Sequence, residues 1–433
     1  MKILTKKFFV CFSLLVLTTG CQTTTSMNYK AGFSFGPASS QITTATASIW
    51  LRTKNEENLQ VAYSKSRNFS RSKFTKIIRS TSQTDFTSIH NLKRLLPDTE
   101  YFYRGVIRSK NIAYGDIGRF RTPSEKLLSF RFAVSGDTRA KYQPFDLFNK
   151  IGQKKPDFFI YLGDTIYADY PSKEFFADLS HYRWKYRENR DDKPLQEFLK
   201  KIPVYAVWDD HEVENNFNSS WGPQIATARR AFREYWPVKS KEKKILYYSF
   251  SWSPLADFFI LDTRQFRSAK TDENGEAPDA TMLGKKQKKW FKKAISKSKA
   301  PFKFIISSVP FNTYKNVDKW SGYVTERDEI KNHITRNNIR GIVTISADIH
   351  RAIAFSNSSG EPREYIVGPI AANIKCSKKN FYESLGYFFM CDSYNYLTID
   401  VTVEHGKPTA EIKYFDDKNK LRYREKFKSN KRN

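Results

Sequence analysis

The sequence predicts an α/β (α+β) protein in two parts, a small all-β sandwich and then a larger domain whose mainly buried sheet core is covered by helices. Three observations predict it. From residue 32 to about residue 122, short alternating segments are separated by polar turns, the pattern of strands with one buried face. After Pro123, long apolar runs alternate with amphipathic stretches, as in a sheet buried on both faces and flanked by helices. The 433 residues also exceed the length at which one hydrophobic core stays single.

Residues 1–21 are not expected to belong to the fold. Lys2, Lys6 and Lys7 precede the apolar stretch Phe8–Leu17, which is too short for a stable span and has the make-up of an export signal. Thr18-Thr19-Gly20-Cys21 resembles the lipobox of bacterial lipoproteins. The resemblance implies a membrane partner, through a lipid on Cys21. Gln22 at the next position implies sorting to the outer membrane of a Gram-negative cell, facing the periplasm. The alternative is simple cleavage, with a secreted or periplasmic product. The Thr/Ser-rich residues 22–31 are expected to be a flexible tether.

Residues 32–124 form the expected sandwich, with Ala47-Ser48-Ile49-Trp50-Leu51-Arg52 and Gln60-Val61-Ala62-Tyr63 as representative strands. The stretch from Leu95 through Pro97, Thr99 and Tyr101 to Tyr103 resembles a segment of fibronectin type III-like sandwiches, whose tyrosine packs at a sheet corner. Nothing in this part has the look of catalysis.

Residues 125–433 carry the second domain. Its apolar runs are 130–135, 158–162, 204–208, 258–261, 304–308 and 342–345. Phe145, Phe148 and Ile151 recur three apart, as one face of a helix does. Residues 285–297, with Trp290, Phe291, Ala294 and Ile295 on one side, make another. The net charge is +29, or +26 once the three lysines of residues 1–20 are gone. Such a field favours an anionic partner, although many lysines fall on a solvated helix face and no nucleic-acid partner is assigned. The chain is expected to be a monomer. Of four cysteines, Cys11 and Cys21 belong to the leader. Cys376 and Cys391 would close a short loop as a disulfide in an oxidising compartment, or stay as two buried thiols.

The chemistry stands at the ends of the runs. Run 130–135 leads to Asp137, run 158–162 to Asp164, run 204–208 to Asp209-Asp210-His211-Glu212, and run 342–345 to Asp348 and His350. One aspartate after a strand is often a helix cap; four such endings point instead to one crevice beyond the strand ends. Clustered carboxylates must be protonated or must hold cations. Oxygen donors with a histidine suit Fe, Mn, Mg, Ca or Zn. In residues 125–433 no Gly-x-Ser-x-Gly elbow and no Walker loop occurs, which disfavours covalent serine chemistry and P-loop phosphate transfer.

The segments Gly163-Asp164-Thr165-Ile166-Tyr167, Trp208-Asp209-Asp210-His211-Glu212, Leu261-Asp262-Thr263-Arg264-Gln265-Phe266-Arg267 and Ser346-Ala347-Asp348-Ile349-His350 resemble the alkaline phosphatase D (PhoD-like) family of calcineurin-like metallophosphoesterases. The resemblance implies a metallophosphoesterase-like core and an exported phosphatase that hydrolyses phosphate mono- or diesters by attack of metal-bound hydroxide. It implies two or more metal ions, Fe3+ with Ca2+, with Mn, Mg or Zn as alternatives. Asp164 would bridge them; Asp137, Tyr167, Asp348 and His350 would hold one ion, and Asp210 and Asn216 the other. His211 would serve the leaving group, and Arg139 and Arg264 the phosphate. The family often has a cysteine ligand where Gly136 stands, and Arg139 replaces a histidine of the wider superfamily. Two other readings stay open: an inactive surface binding module on the same fold, and a purple-acid-phosphatase-like or nucleotidase-like hydrolase.

Overall fold

The computed structural model describes residues 32–109, 112–240, 242–269, 280–312, 317–355, 362–376, 384 and 387–429. The expected signal, Cys21 and tether lie outside the described residues.

The N-terminal part is built from β1 (Phe33–Ser40), β2 (Thr46–Thr53), β3 (Glu57–Ser64), β4 (Lys73–Phe74), β5 (Ile78–Ser80), β6 (Thr87–Lys93), β7 (Glu100–Ile107), β8 (Ala113–Tyr114) and β9 (Gly118–Arg121). One sheet runs β1-β2-β6, the other β4-β3-β7-β8 with β5 on β3 and β9 on β7. Ile49 and Leu51 from the first sheet meet Leu59, Val61 and Tyr103 from the second. Tyr101 occupies the corner, its hydroxyl accepting the Leu96 N–H at 2.9 Å and its ring stacked on Phe120. The sandwich is fastened to the second domain by polar contacts. Asp85 is met by Arg52, Arg187 and the Tyr235 hydroxyl, and the Trp50 indole donates to the Glu234 carbonyl at 2.7 Å.

The second domain comprises β10 (Phe130–Ser135), α1 (Leu147–Gln153), β11 (Phe158–Leu162), α2 (Leu179–Arg190), α3 (Lys193–Lys201), β12 (Val204–Val207), α4 (Gly222–Tyr235), β13 (Tyr248–Trp252), β14 (Ala256–Ile260), α5 (Gly284–Lys297), β15 (Phe302–Ile306), α6 (Val324–Arg336), β16 (Ile342–Ser346), β17 (Ala352–Phe355), β18 (Arg363–Ile366), β19 (Phe388–Met390), β20 (Asn395–Glu404), β21 (Lys407–Asp416) and β22 (Leu421–Lys428). The sequence suggests one buried sheet; the structure has two. The first is ordered β12-β11-β10-β20-β21-β22, the second β13-β14-β15-β16-β18-β17-β19.

The sheets pack face to face, Phe132 and Phe158 of the first against Phe258 and Phe304 of the second. Alternation then sends Phe159 and Tyr161 outward against Phe148 and Phe198 of α1 and α3. On the far side, Phe259 and Ile305 meet Phe291 of α5 and Ile330 of α6. A strand buried on both faces reads alike whether a helix or a second sheet covers it, which is why the runs do not announce the split. β10, β11 and β12 are parallel, as are β14, β15, β16 and β18. Their carboxyl ends therefore open on one edge, where the expected site residues stand.

Cys376 and Cys391 are joined as a disulfide, their Cα atoms 5.0 Å apart. No helix among the described residues is long and apolar enough to cross a membrane.

Candidate metal centre

Five of the expected ligands sit on backbone bent into the left-handed region. Asp137 (φ 62°), Asp164 (47°), Asn216 (59°), Asp348 (71°) and His350 (54°) all share it. Such conformations cost free energy for non-glycine residues and persist where the surroundings impose them, often at functional sites. The packing here leaves little choice. Gly163, at φ +91°, has no room for a Cβ, which would lie 2.6 Å from that of Asp209. Glu212, fully buried, accepts from the backbone N–H groups of Asp164 (3.1 Å), Thr165 (2.6 Å) and Asp209 (2.8 Å). It ties the loops after β11 and β12 together.

The ligand atoms fall into three groups, each with its members within 4.8 Å of one another: Asp137, Asp164 and His350; Asp164, Asp210 and His211; Asp209, Asp210 and Asp348. Asp164 and Asp210 each belong to two of them. Asp348 groups with Asp209 and Asp210, whereas the family resemblance set it beside Asp137 and His350. Its carboxylate is engaged by Arg264 at 3.0 Å and by the Lys319 ammonium.

Burial raises the carboxyl groups of Asp137 and Asp164 well above the usual carboxylate range, and the surrounding aspartates add to the rise. Asp137 Oδ2 is buried and has no hydrogen-bond partner among the described residues. Asp210 is held below the usual range: burial pushes it up, but Arg264 and His211 outweigh that. Asp209 is pushed up to about 7 by burial against the pull of Arg264. Uncompensated carboxylates packed this closely fit cations between them.

His350 donates from Nδ1 to the Asn373 carbonyl at 2.5 Å, leaving Nε2 toward the Tyr167 hydroxyl (3.0 Å) and Asp137 Oδ1 (3.5 Å). Burial, then Lys375, lowers it to about 4. It is a neutral imidazole with a lone pair aimed inward, the form a metal takes. The Tyr167 phenol is pushed well above its ordinary value by burial and by Asp164 and Asp137. His211 Nδ1 is held by Asp169 Oδ1 at 2.7 Å, and Asp169 Oδ2 accepts the Asn215 N–H at 3.0 Å. Burial would lower His211, but Asp210 and Asp169 raise it instead. Asn216 sends its N–H to Asp210 Oδ2 at 2.9 Å, and its side-chain amide faces Asp318.

The two arginines part company. Arg264 is completely buried and spends its donors on Asp209 (3.2 Å), Asp318 (3.0 Å) and Asp348 (3.0 Å). It braces carboxylates and has no donor left for an incoming phosphate. Arg139 instead lies over the Tyr170 ring, 4.1 Å from its centre, outside the carboxylate cavity. That cavity, about 210 Å³, is lined by Asp164, Asp210, His211, Asp348, His350 and Lys375, among others.

The sequence profile described as PhoD-like phosphatase matches residues 132–386. The chain belongs to the PhoD-like phosphatase family. The profile of the PhoD-like phosphatase N-terminal domain matches residues 20–124. Among curated proteins, the chain is 24% identical over 306 residues to alkaline phosphatase D of Bacillus subtilis (strain 168), covering 60% of this chain. The match spans about half, 52%, of that relative's length. Among solved structures, one described as PhoD superposes with a TM-score of 0.79 at 19% identity, covering 93% of each chain. Purple acid phosphatase PPD1 from yellow lupin seeds superposes with a TM-score of 0.62 at 11% identity, covering 90% of this chain and 74% of its own. These likenesses establish a metallophosphoesterase-like fold behind an all-β N-terminal part.

Around this PhoD-like centre, sequence reasoning missed Asp169, Asp318 and Lys319. Asp169 stands two residues beyond Tyr167, and that nearness was the available signal. Asp318 and Lys319 follow no apolar run and lie just ahead of α6, so only the fold brings them in.

Proposed function

We propose that the chain is an exported, metal-dependent phosphatase that hydrolyses phosphate mono- or diesters at the Asp164 cavity. The observation that carries the reading is Asp164 itself, shared by two ligand groups beside carboxylates raised well above their usual range. When bound, two cations supply polarisation of the phosphoryl oxygens and an activated water.

In this reading Asp164 would hold both ions. Asp137, His350 and the Tyr167 phenol would serve one; Asp210, Asn216 and Asp348 would serve the other. The Tyr167 phenol favours Fe3+ in the first position, and the remaining oxygen donors favour Ca2+ in the second. His211, oriented by Asp169 and favoured in its protonated form by Asp210, gives a proton from Nε2 to the departing ester oxygen. Lys375 lines the cavity and supplies positive charge toward an anionic ester. Arg264 and Lys319 act by fixing the Asp209, Asp318 and Asp348 carboxylates. Lipidation of Cys21 provides the anchor, and Cys21→Ser is expected to move the protein out of the membrane fraction.

The test is a panel of chromogenic phosphate mono- and diesters given to purified protein, first chelated and then reconstituted with iron and calcium. Hydrolysis that vanishes on chelation and returns with metal is expected. Fully metal-loaded protein that turns over no ester in either class would overturn the reading.

A further inference from the structure

A second cavity, about 260 Å³, is lined by Tyr167, Thr138, Arg139, Lys141, Tyr170 and Lys185, with neighbouring residues including Glu188. Tyr167 lines this second cavity and touches two residues, His211 and His350, that line the first. Its hydroxyl faces His350 in the carboxylate cavity, while its ring is stacked on His211, 4.2 Å between centres. Tyr170 approaches the same imidazole from the side at 5.4 Å. The two rings that flank His211 thus also line the second cavity.

The charge there is unusual for this molecule. Lys185 is paired with Glu188 at 2.7 Å, so these two cancel. That leaves Arg139 and Lys141. Among the described residues no carboxylate stands within ion-pair distance of Arg139. Its guanidinium is held by the Tyr170 ring at 4.1 Å, with Tyr167 at 6.0 Å, and its backbone N–H is fixed to the Ala371 carbonyl at 2.8 Å. Stacking leaves the in-plane N–H donors of a guanidinium available. Arg264, with every donor consumed by aspartates, shows what a purely structural arginine looks like in this domain.

We propose that this second cavity is a subsite for a negatively charged group on the alcohol side of the scissile ester, with Arg139 as its receptor and Tyr170 as its platform. The inference rests on the phosphatase reading for the position of the ester and on Arg139 for the anion. Because His211 serves the departing oxygen and is flanked by Tyr167 and Tyr170, the alcohol leaves toward the cavity that those two rings line, where Arg139 stands. The preferred substrate class is an ester whose alcohol carries its own phosphate or carboxylate.

The test is calorimetric binding of butylphosphonate and ω-sulfobutylphosphonate to the metal-loaded full-length protein; neither is hydrolysed, so turnover does not intrude. The sulfonated compound is expected to bind about tenfold more tightly, the scale of one charge-assisted hydrogen-bonded contact. Arg139→Gln should bring the ratio close to one, Arg139→Lys should keep part of it, and Tyr170→Ala should lower it by loosening the guanidinium. Equal binding of the two compounds to the wild-type protein, or a ratio that survives in Arg139→Gln, would overturn the proposal. Should Arg139→Gln fail to fold, the Tyr170→Ala ratio decides, an unchanged value counting against the subsite. A wild-type preference with no ester turned over would sink the phosphatase reading alone; ester turnover with no preference would sink the subsite alone.

Discussion

Around Asp209, Asp210, Asp318 and Asp348, the carboxylates are met by Arg264, Arg267 and Lys319, most of them fully buried. Around Asp137 and Asp164, in the same crevice, no lysine or arginine among the described residues lies within ion-pair distance. One half of the site brings its own cations; the other is left with carboxylates that burial drives toward the neutral form. Buried charge is tolerated only when compensated. The half without protein cations therefore depends on metal for its compensation, whereas Arg264, Arg267 and Lys319 already brace the other half, from which Asp210 and Asp348 face the second ion.

Removing a ligand from the uncompensated half should be the most damaging change to activity and the least damaging to folding. Asp164→Asn is expected to abolish measurable ester turnover in a steady-state assay while the circular dichroism spectrum stays that of the wild type. Breaking the frame should do the reverse. Arg264→Gln removes the cation that Asp209, Asp210, Asp318 and Asp348 share and is expected to cost about 3–5 kcal/mol in denaturant unfolding, the scale for breaking a buried ion pair. A small stability loss for Arg264→Gln would erase the contrast between the halves.

His211 belongs to neither half, since its proton serves the substrate. His211→Ala is expected to keep the metals and lose about 10²–10⁴-fold in rate, less for esters of acidic phenols, which leave unaided. Equal losses for good and poor leaving groups would reassign it.

The pH dependence sharpens the comparison further. Asp137, Asp164 and Asp209 are raised in the folded chain, and His211 is raised as well. For all four the folded state binds protons more strongly than the unfolded one, so stability falls as pH rises. His350, lowered to about 4, works the other way, but only up to the ordinary histidine value near 6.5. Chelated protein should thus melt at lower temperature as pH goes from about 6.5 to 8, and added metal should flatten the slope. A chelated protein whose melting temperature holds or rises across that interval would contradict the assignment.

Much of this could be read before any fold was known. The aspartates after β10, β11, β12 and β16 follow long apolar runs, and strand ends in α/β domains are where ligands gather. The Tyr101 corner was legible for a similar local reason. What escaped the sequence depends on packing. Arg264 and Arg139 look equally suited to phosphate on paper; only the fold shows that the first is spent on Asp209, Asp318 and Asp348 while the second is stacked on Tyr170, with no carboxylate partner among the described residues. Asp348 moves to the group of Asp209 and Asp210 because Lys319 and Arg264 hold it there. The strands β21 and β22 give no long apolar run, for β22 alternates half-buried and exposed positions along an edge.

The central claim, that cations complete the Asp137–Asp164 half, is tested most directly by elemental analysis of the purified protein beside Asp164→Asn. The wild type is predicted to hold two or more tightly bound metal ions per chain, and the folded Asp164→Asn variant to lose most of that content, since one carboxylate serves both positions. Equal metal content in the two proteins, or a wild type that carries none and still hydrolyses phosphate esters in the presence of chelator, would contradict it.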